Sequence, residues 1–361
     1  MLKSCDVDNL RPGMKVGREV KDFSGKVLLK QNAILDAKKI NSLIGQNIFS
    51  VYIDEPEEEK KPVKIEGADN LIDYDYWEHY QDTYNNIHDI YFTVERGGKI
   101  DLKKLDKVLD PANVDKLCDA SIAISQIHNM TRDGDYTIHH ATNVGILAGV
   151  FAKWMKWPRN IMRELIMSGL LTEIGKTKVP RAILNKTGKL EPEELELVRR
   201  HVDYGFDMLK FSPLKNFNNV LLGILHHHER CDGTGYPNHL QAKDISDYGK
   251  ILAFLDIYDA MAANRSYAKR NSPFDIFKVL YGDINKGKLD SRYGILFMKH
   301  MRQSFVGCWV GLSDGQRAKI ILFMNDEVIS QPIVQTTQSK FIDLNKESNL
   351  KVEVLLTAQE V

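Results

Sequence analysis

Residues 227–237 read His227-His228-Glu229-Arg230-Cys231-Asp232-Gly233-Thr234-Gly235-Tyr236-Pro237, and the fold turns on how this run joins the apolar stretch before it. Over 217–228, Val220, Ile224, His227 and His228 stand at i, i+4, i+7 and i+8. The histidine pair therefore continues the buried face of a helix. His226 falls off that stripe and is expected to face solvent. Beyond the pair, Gly233 and Gly235 permit backbone dihedrals that other residues resist, and Pro237 fixes the exit. The chain can turn tightly beside the two imidazoles, with Tyr236 placed to stack or hydrogen-bond in a ligand or partner pocket. Standing alone, this would be an ordinary Gly-Pro turn; directly after His-His-Glu it borders a site.

Six of the eleven histidines lie in the same middle block: His139, His140, His201, His226, His227 and His228. Leu197 and His201 are i, i+4 neighbours, which points His201 inward. On a later helix Leu252, Leu255, Asp256 and Asp259 share one face, and a carboxylate on an apolar face needs a partner, because an unpaired buried charge is costly. A metal or the facing histidines would supply it, and imidazole with carboxylate suits first-row divalent ions. Helical spacing recurs over 113–130, 138–155, 160–171, 193–209, 217–228, 248–263 and 274–281, with breakers at Asp133-Gly134, Trp157-Pro158 and Thr187-Gly188. The fold class is mainly α.

The run from His227 to Pro237 resembles the HHExxDGxGYP signature of HD-GYP proteins, a branch of the HD phosphohydrolase superfamily. Tyr136-Thr137 with His140 and Asn143-Val144 is similar to that family's opening helix. Leu170 to Lys176, with Val179-Pro180 and Ile183 to Lys186, is similar to the segment built on HDxGK. Arg200-His201, then Asp256-Ile257-Tyr258-Asp259-Ala260 with Arg265-Ser266-Tyr267, match the remaining motifs in order. The resemblance implies an all-helical domain holding one or more divalent ions, iron or manganese first, with zinc, magnesium or nickel as alternatives. It implies hydrolysis of cyclic di-GMP or a related cyclic dinucleotide, to the linear dinucleotide or to GMP, by a metal-activated hydroxide. Carried over by position, His201, His227, His228, Asp256 and Glu173 are expected to hold metal, with His140 lining the site. Lys176 and Glu173 are expected in the catalytic machinery, and Lys176, Arg265, Tyr236 and Gly235 on the substrate side.

The pattern breaks at the family's name-giving pair. Where His-Asp should precede Ile174-Gly175-Lys176, this chain has Thr172-Glu173. A threonine hydroxyl is a poor ligand for a divalent transition metal, and Glu173 keeps the charge on a stem longer by about one methylene. A misplacement on the order of 1 Å can cost ~100-fold in rate. Tyr136 also stands where a glutamate accompanies a third metal, so one or two ions are expected. Three readings stay open: a working phosphodiesterase with an unusual binuclear site, a degenerate module that binds a cyclic nucleotide or protein partner without efficient turnover, and a hydrolase for another phosphorylated nucleotide.

Around this block the period changes. Residues 1–54 read as a small β-rich module with a short helix near 36–44 and a strand at 48–53. Residues 55–70 are a charged linker, and 71–110 hold a connector helix. The helical domain runs over 111–304, and 305–361 form a β appendage with strands at 308–310, 318–324, 329–334 and 351–356. Trp77, Tyr80, Tyr84, Ile87 and Tyr91 form an amphipathic seam, which either packs on the chain's own core or makes a dimer contact. The 361 residues are 43% hydrophobic and 27% charged, with 49 basic and 49 acidic side chains. That balance gives no pull toward nucleic acid or anionic membrane. No run approaches the ~20 apolar residues of a membrane span. The start lacks a secretion signal, and the four scattered cysteines fit reduced thiols, so the expected location is the cytoplasm.

Overall fold

The computed structural model describes residues 2–7, 10–21, 26–45, 48, 50–54, 74–129, 135–186, 188–262, 271–347 and 349–356. The expected linker at 55–70 lies outside them. The chain divides into two compact units, 1–67 with 133–135, and 68–132 with 136–361.

In the first unit, strand β1 (Leu2–Asp6) pairs antiparallel with β4 (Ser50–Asp54), and β2 (Val20–Lys21) with β3 (Val27–Leu29). Helix α1 (Ala37–Gly45) begins where the Asp36 carboxylate accepts from the Lys39 amide at 2.8 Å, which satisfies one of the amides a helix start leaves unpaired. Val16, Leu35, Leu43, Val51 and Ile53 close a small core of its own.

Among its described residues the second unit is helical up to residue 304, with a sheet after it. Helices α2 (Tyr74–Glu95), α3 (Leu102–Val108), α4 (Pro111–Leu117) and α5 (Ala120–Asn129) lead into α6 (Tyr136–Trp154) and α7 (Arg159–Leu171). A 3-10 turn (Ile174–Lys178), α8 (Arg181–Leu184), α9 (Pro192–Arg199), α10 (His201–Lys210) and α11 (Asn218–His226) follow. Helices α12 (Asp247–Ala262), α13 (Pro273–Asn285) and α14 (Ser291–Ser304) complete the helical part. Two stretches expected as single helices are divided. The Asp119 carboxylate accepts from the Ser121 amide at 3.0 Å and restarts the chain as α5. Arg200, with ψ near −5°, separates α9 from α10. Both breaks are local side-chain or dihedral choices that apolar spacing does not register.

Helix α6 is buried along nearly its whole length, from Ile138 to Ala152, which makes it the centre of the unit. It meets α7 backbone to backbone: a Cβ at Gly169 would lie 2.8 Å from the Gly145 Cα. The seam of α2 is spent inside the chain, since Tyr80, Tyr84, Ile87 and Tyr91 are all buried in the same core as α6. That core continues into an antiparallel sheet of order β8-β7-β6-β5-β9, made of β5 (Trp309–Leu312), β6 (Arg317–Leu322), β7 (Ile333–Thr336), β8 (Phe341–Asp343) and β9 (Val352–Leu355). The third tail strand starts later than its sequence suggests because Pro332 has no amide to give a ladder.

The turn at 174–178 sits tightly on α10. A Cβ on Gly175 would run into the carbonyl oxygen of His201 and close on the Gly205 amide. Gly175→Ala is therefore expected to destabilise the metal-free protein by about 3 kcal/mol, the upper part of the ordinary overpacking range. Chemical denaturation would check it, and a loss below about 1 kcal/mol would show that the turn has room to yield.

Candidate metal centre

Six elements converge on one buried cluster. Helix α6 supplies His140, the end of α7 supplies Thr172 and Glu173, and the following turn supplies Lys176. The first residue of α10 is His201, the end of α11 gives His227 and His228, and α12 gives Asp256 and Asp259. Two groups of side chains offer ligand atoms that lie within 4.8 Å of one another: Glu173, His201, His227 and His228 in one, and His140, Glu173 and Asp256 in the other. Glu173 belongs to both, which is the disposition of a bridging carboxylate.

The tautomers of two imidazoles follow from their partners. His201 Nδ1 lies 2.7 Å from the Val198 carbonyl, and His227 Nδ1 lies 2.7 Å from the Ile224 carbonyl. A carbonyl only accepts, so both Nδ1 atoms carry the proton and both Nε2 atoms present a lone pair. Those two Nε2 atoms are buried with no hydrogen-bond partner among the described residues. A buried lone pair without a donor is costly, and two in one cluster with the Glu173 carboxylate fit a cation. Burial lowers the basicity of all three imidazoles here. His227, with His201 beside it, is pushed down to about 4, and His228 falls well below the usual histidine value. Three neutral imidazoles in contact, with rings 4.0 to 5.5 Å apart, are the state a divalent ion requires.

His140 sits differently. Its Nδ1 is 2.7 Å from an Asp259 oxygen and its Nε2 is 2.9 Å from Asp256. Burial works against a charge on this ring, but the two carboxylates outweigh it and hold the imidazole well above its usual value. In the metal-free chain a proton thus stands between His140 and Asp256, where an ion would displace it. Glu173 is buried, which disfavours its charge. Lys176 at 2.8 Å, with His201, His140 and His227 around it, nevertheless keeps the carboxylate well below the usual range.

Thr172 is buried and turned back on its own helix, its hydroxyl donating to the Gly169 carbonyl at 2.9 Å. It offers nothing to the cluster. Tyr236 stacks on His228 (centroids 4.8 Å, 28° between planes), and the Arg199 guanidinium lies over the Tyr236 ring at 5.3 Å. Gly235 is buried against Glu229, whose Cα a Cβ there would approach to 2.5 Å. Glu229 clamps the loop from within, accepting from the amides of Asn238 (2.7 Å) and Leu240 (3.0 Å). Arg265, with Ser266 and Tyr267, lies outside the described residues.

One expectation is corrected. His226 is buried, not solvent-facing: its Nδ1 accepts from the Ser246 amide at 3.1 Å, and α12 packs on it closely enough that a Cβ on Gly249 would lie 2.5 Å from the His226 Cβ. Helix α11 is covered on more than one side, so the stripe rule misassigns the residue beside the stripe. Asp259, which spacing marked as needing a partner, takes His140 Nδ1, while Asn143, which donates to Asp259, and Glu229, which holds the loop, are residues that spacing did not single out.

The family model described as HD domain matches residues 125–292. The chain is 32% identical over 240 residues to the cyclic di-GMP phosphodiesterase PA4108 of Pseudomonas aeruginosa, covering 66% of this chain and 56% of that protein. It is 41% identical over 97 residues to the 3'3'-cGAMP-specific phosphodiesterase 2 of Vibrio cholerae, covering 27% of this chain and 19% of that one. The chain thus spans little more than half the length of the first relative. Among solved structures it shares the fold of Bd1817, a HDG"Y"P protein from Bdellovibrio bacteriovorus, with a TM-score of 0.51 and 18% identity over 82% of this chain and 98% of that one.

Proposed function

We propose that the chain, whose residues 125–292 match the HD domain family model, is a divalent-metal phosphodiesterase of the HD-GYP kind that opens a cyclic dinucleotide, cyclic di-GMP or a cyclic GMP-AMP. The observation that carries this reading is the pair of buried Nε2 lone pairs on His201 and His227, facing a carboxylate that a second ligand group shares. When bound, a divalent ion at such a site would polarise a phosphoryl oxygen and lower the pKa of water toward neutrality. Iron or manganese suits the mixed imidazole and carboxylate donors.

The chain's own residues supply the rest. His201, His227, His228 and Glu173 would hold one ion, and His140, Glu173 and Asp256 would hold a second. Lys176 stays charged: burial works against its proton, and the Glu173 carboxylate overrides that. Its ammonium, partly open to solvent, would take a phosphate oxygen, a role that position in the motif also gives to Arg265. Tyr236, stacked on His228 with the Arg199 guanidinium over its ring, meets the substrate at the rim by its ring edge or hydroxyl, and Gly235 lets the loop close behind it.

A second reading rests on Thr172. With its hydroxyl turned to Gly169, one imidazole of the family pattern has no replacement at that position, which favours binding without efficient turnover. The assay that separates the two measures metal per chain and follows cyclic di-GMP and 3'3'-cGAMP by chromatography with iron, manganese or zinc. We expect bound metal and a linear dinucleotide or mononucleotide product. Metal and dinucleotide binding with no product would establish the second reading, and failure to bind any cyclic dinucleotide would sink both.

A further inference from the structure

We propose that Tyr80, on α2 and outside the HD segment, is a positioning residue for the metal centre. It acts through a buried hydrogen-bond chain that ends on His140 Nδ1, across the ring from the metal-facing Nε2. The Tyr80 hydroxyl donates to Asn143 Oδ1 at 2.9 Å, and Asn143 Nδ2 donates to Asp259 Oδ1 at 2.9 Å. The other Asp259 oxygen takes the Nδ1 proton of His140 at 2.7 Å, and His140 Nε2 then points at Asp256 and Glu173. Tyr80, Asn143, His140 and Asp259 are all at most 3% exposed. The inference rests on the metal-site reading above.

Each link has one allowed direction. A carboxylate only accepts, so Asp259 fixes the Nδ1–H tautomer of His140 and leaves Nε2 for an ion. Asn143 must turn its NH2 to Asp259, which leaves its oxygen toward α2, where a donor is required. Tyr80 spends its single proton there, and the His139 Nδ1, 3.0 Å from the same hydroxyl, donates into its lone pair. Removing the hydroxyl leaves the Asn143 oxygen without that donor and frees the amide to rotate, which loosens Asp259 and then His140. A ring in the core without this chain would be a packing residue only. Tyr80 does stack beside Trp77, with centroids 5.7 Å apart, so the test must remove the hydroxyl and keep the ring.

The experiment titrates Mn2+ into metal-free full-length protein and reads stoichiometry and affinity calorimetrically, without any nucleotide. Tyr80→Phe is expected to weaken one of two ions about 10-fold, and Asp259→Asn about 100-fold, spanning the range for residues that orient a ligand. The double variant should be no weaker than Asp259→Asn alone, because both act through one path. Tyr91→Phe is the control: it removes another buried α2 hydroxyl, bonded to the Leu170 carbonyl, and should leave both affinities unchanged. If Tyr80→Phe matches Tyr91→Phe, if the double variant is additive, or if the parent protein takes only one ion, the proposal fails. None of these results depends on whether cyclic dinucleotides are hydrolysed, so the two readings fail separately.

Discussion

Glu173→Gln is expected to lower phosphodiester hydrolysis about 1,000-fold or more and to reduce bound metal in both halves of the centre. The amide would keep the shape of the side chain and lose the anionic oxygens that two ligand groups share. The ion's contribution to transition-state charge is several kcal/mol, and each 1.36 kcal/mol is a decade of rate, so a loss near 4 kcal/mol corresponds to about three decades. The structural cost is expected to be about 3 kcal/mol, the low end for removing one partner of a buried ion pair, because the Lys176 side chain is 22% exposed and can turn in part to water. Metal analysis after dialysis, rate measurement and a denaturation curve of the metal-free chain separate the two effects. A variant that retains both ions would remove Glu173 from the bridging position, whatever its rate.

Much of this centre was legible because helical period carries one-dimensional information about which residues share a face. His227 and His228 continue the stripe of Val220 and Ile224, and all four are drawn into the core or the site. Asp256 and Asp259 on one apolar face called for partners, and His140 is the partner of both. What stayed hidden depends on contacts far apart in sequence. Asn143 and Asp259 are 116 residues apart, and nothing local to either marks the other. The contact of Tyr80 with Asn143 spans two helices, and the stripe of neither marks the other. His226 misled for a related reason: a stripe rule assumes one covered face, and α12 covers a second. Glu229 stood in the quoted signature, but its part as the clamp of the loop exists only once Asn238 and Leu240 fold back over it.

Thr172→His is the change that decides what the altered pair means. If the missing imidazole limits turnover, the substitution should raise the rate about 100-fold, the cost assigned to a misplaced catalytic geometry, and tighten the weaker ion. The position is buried, so a larger ring there overpacks the end of α7 at an expected cost of about 1–3 kcal/mol. The rate should rise in spite of that cost, since an ion that binds only the folded chain returns stability by mass action. Thr172→His/Glu173→Asp restores the full pair and shortens the carboxylate to match, so it should exceed the single variant if reach matters as well as ligand count. The opposite outcome is equally informative. If the parent chain already holds two ions and neither variant is faster, then His140, locked by Asp259, supplies the nitrogen that Thr172 does not. Thr172 would then mark a rewired centre in place of a damaged one, with His140→Ala, not a change at Thr172, removing the second ion.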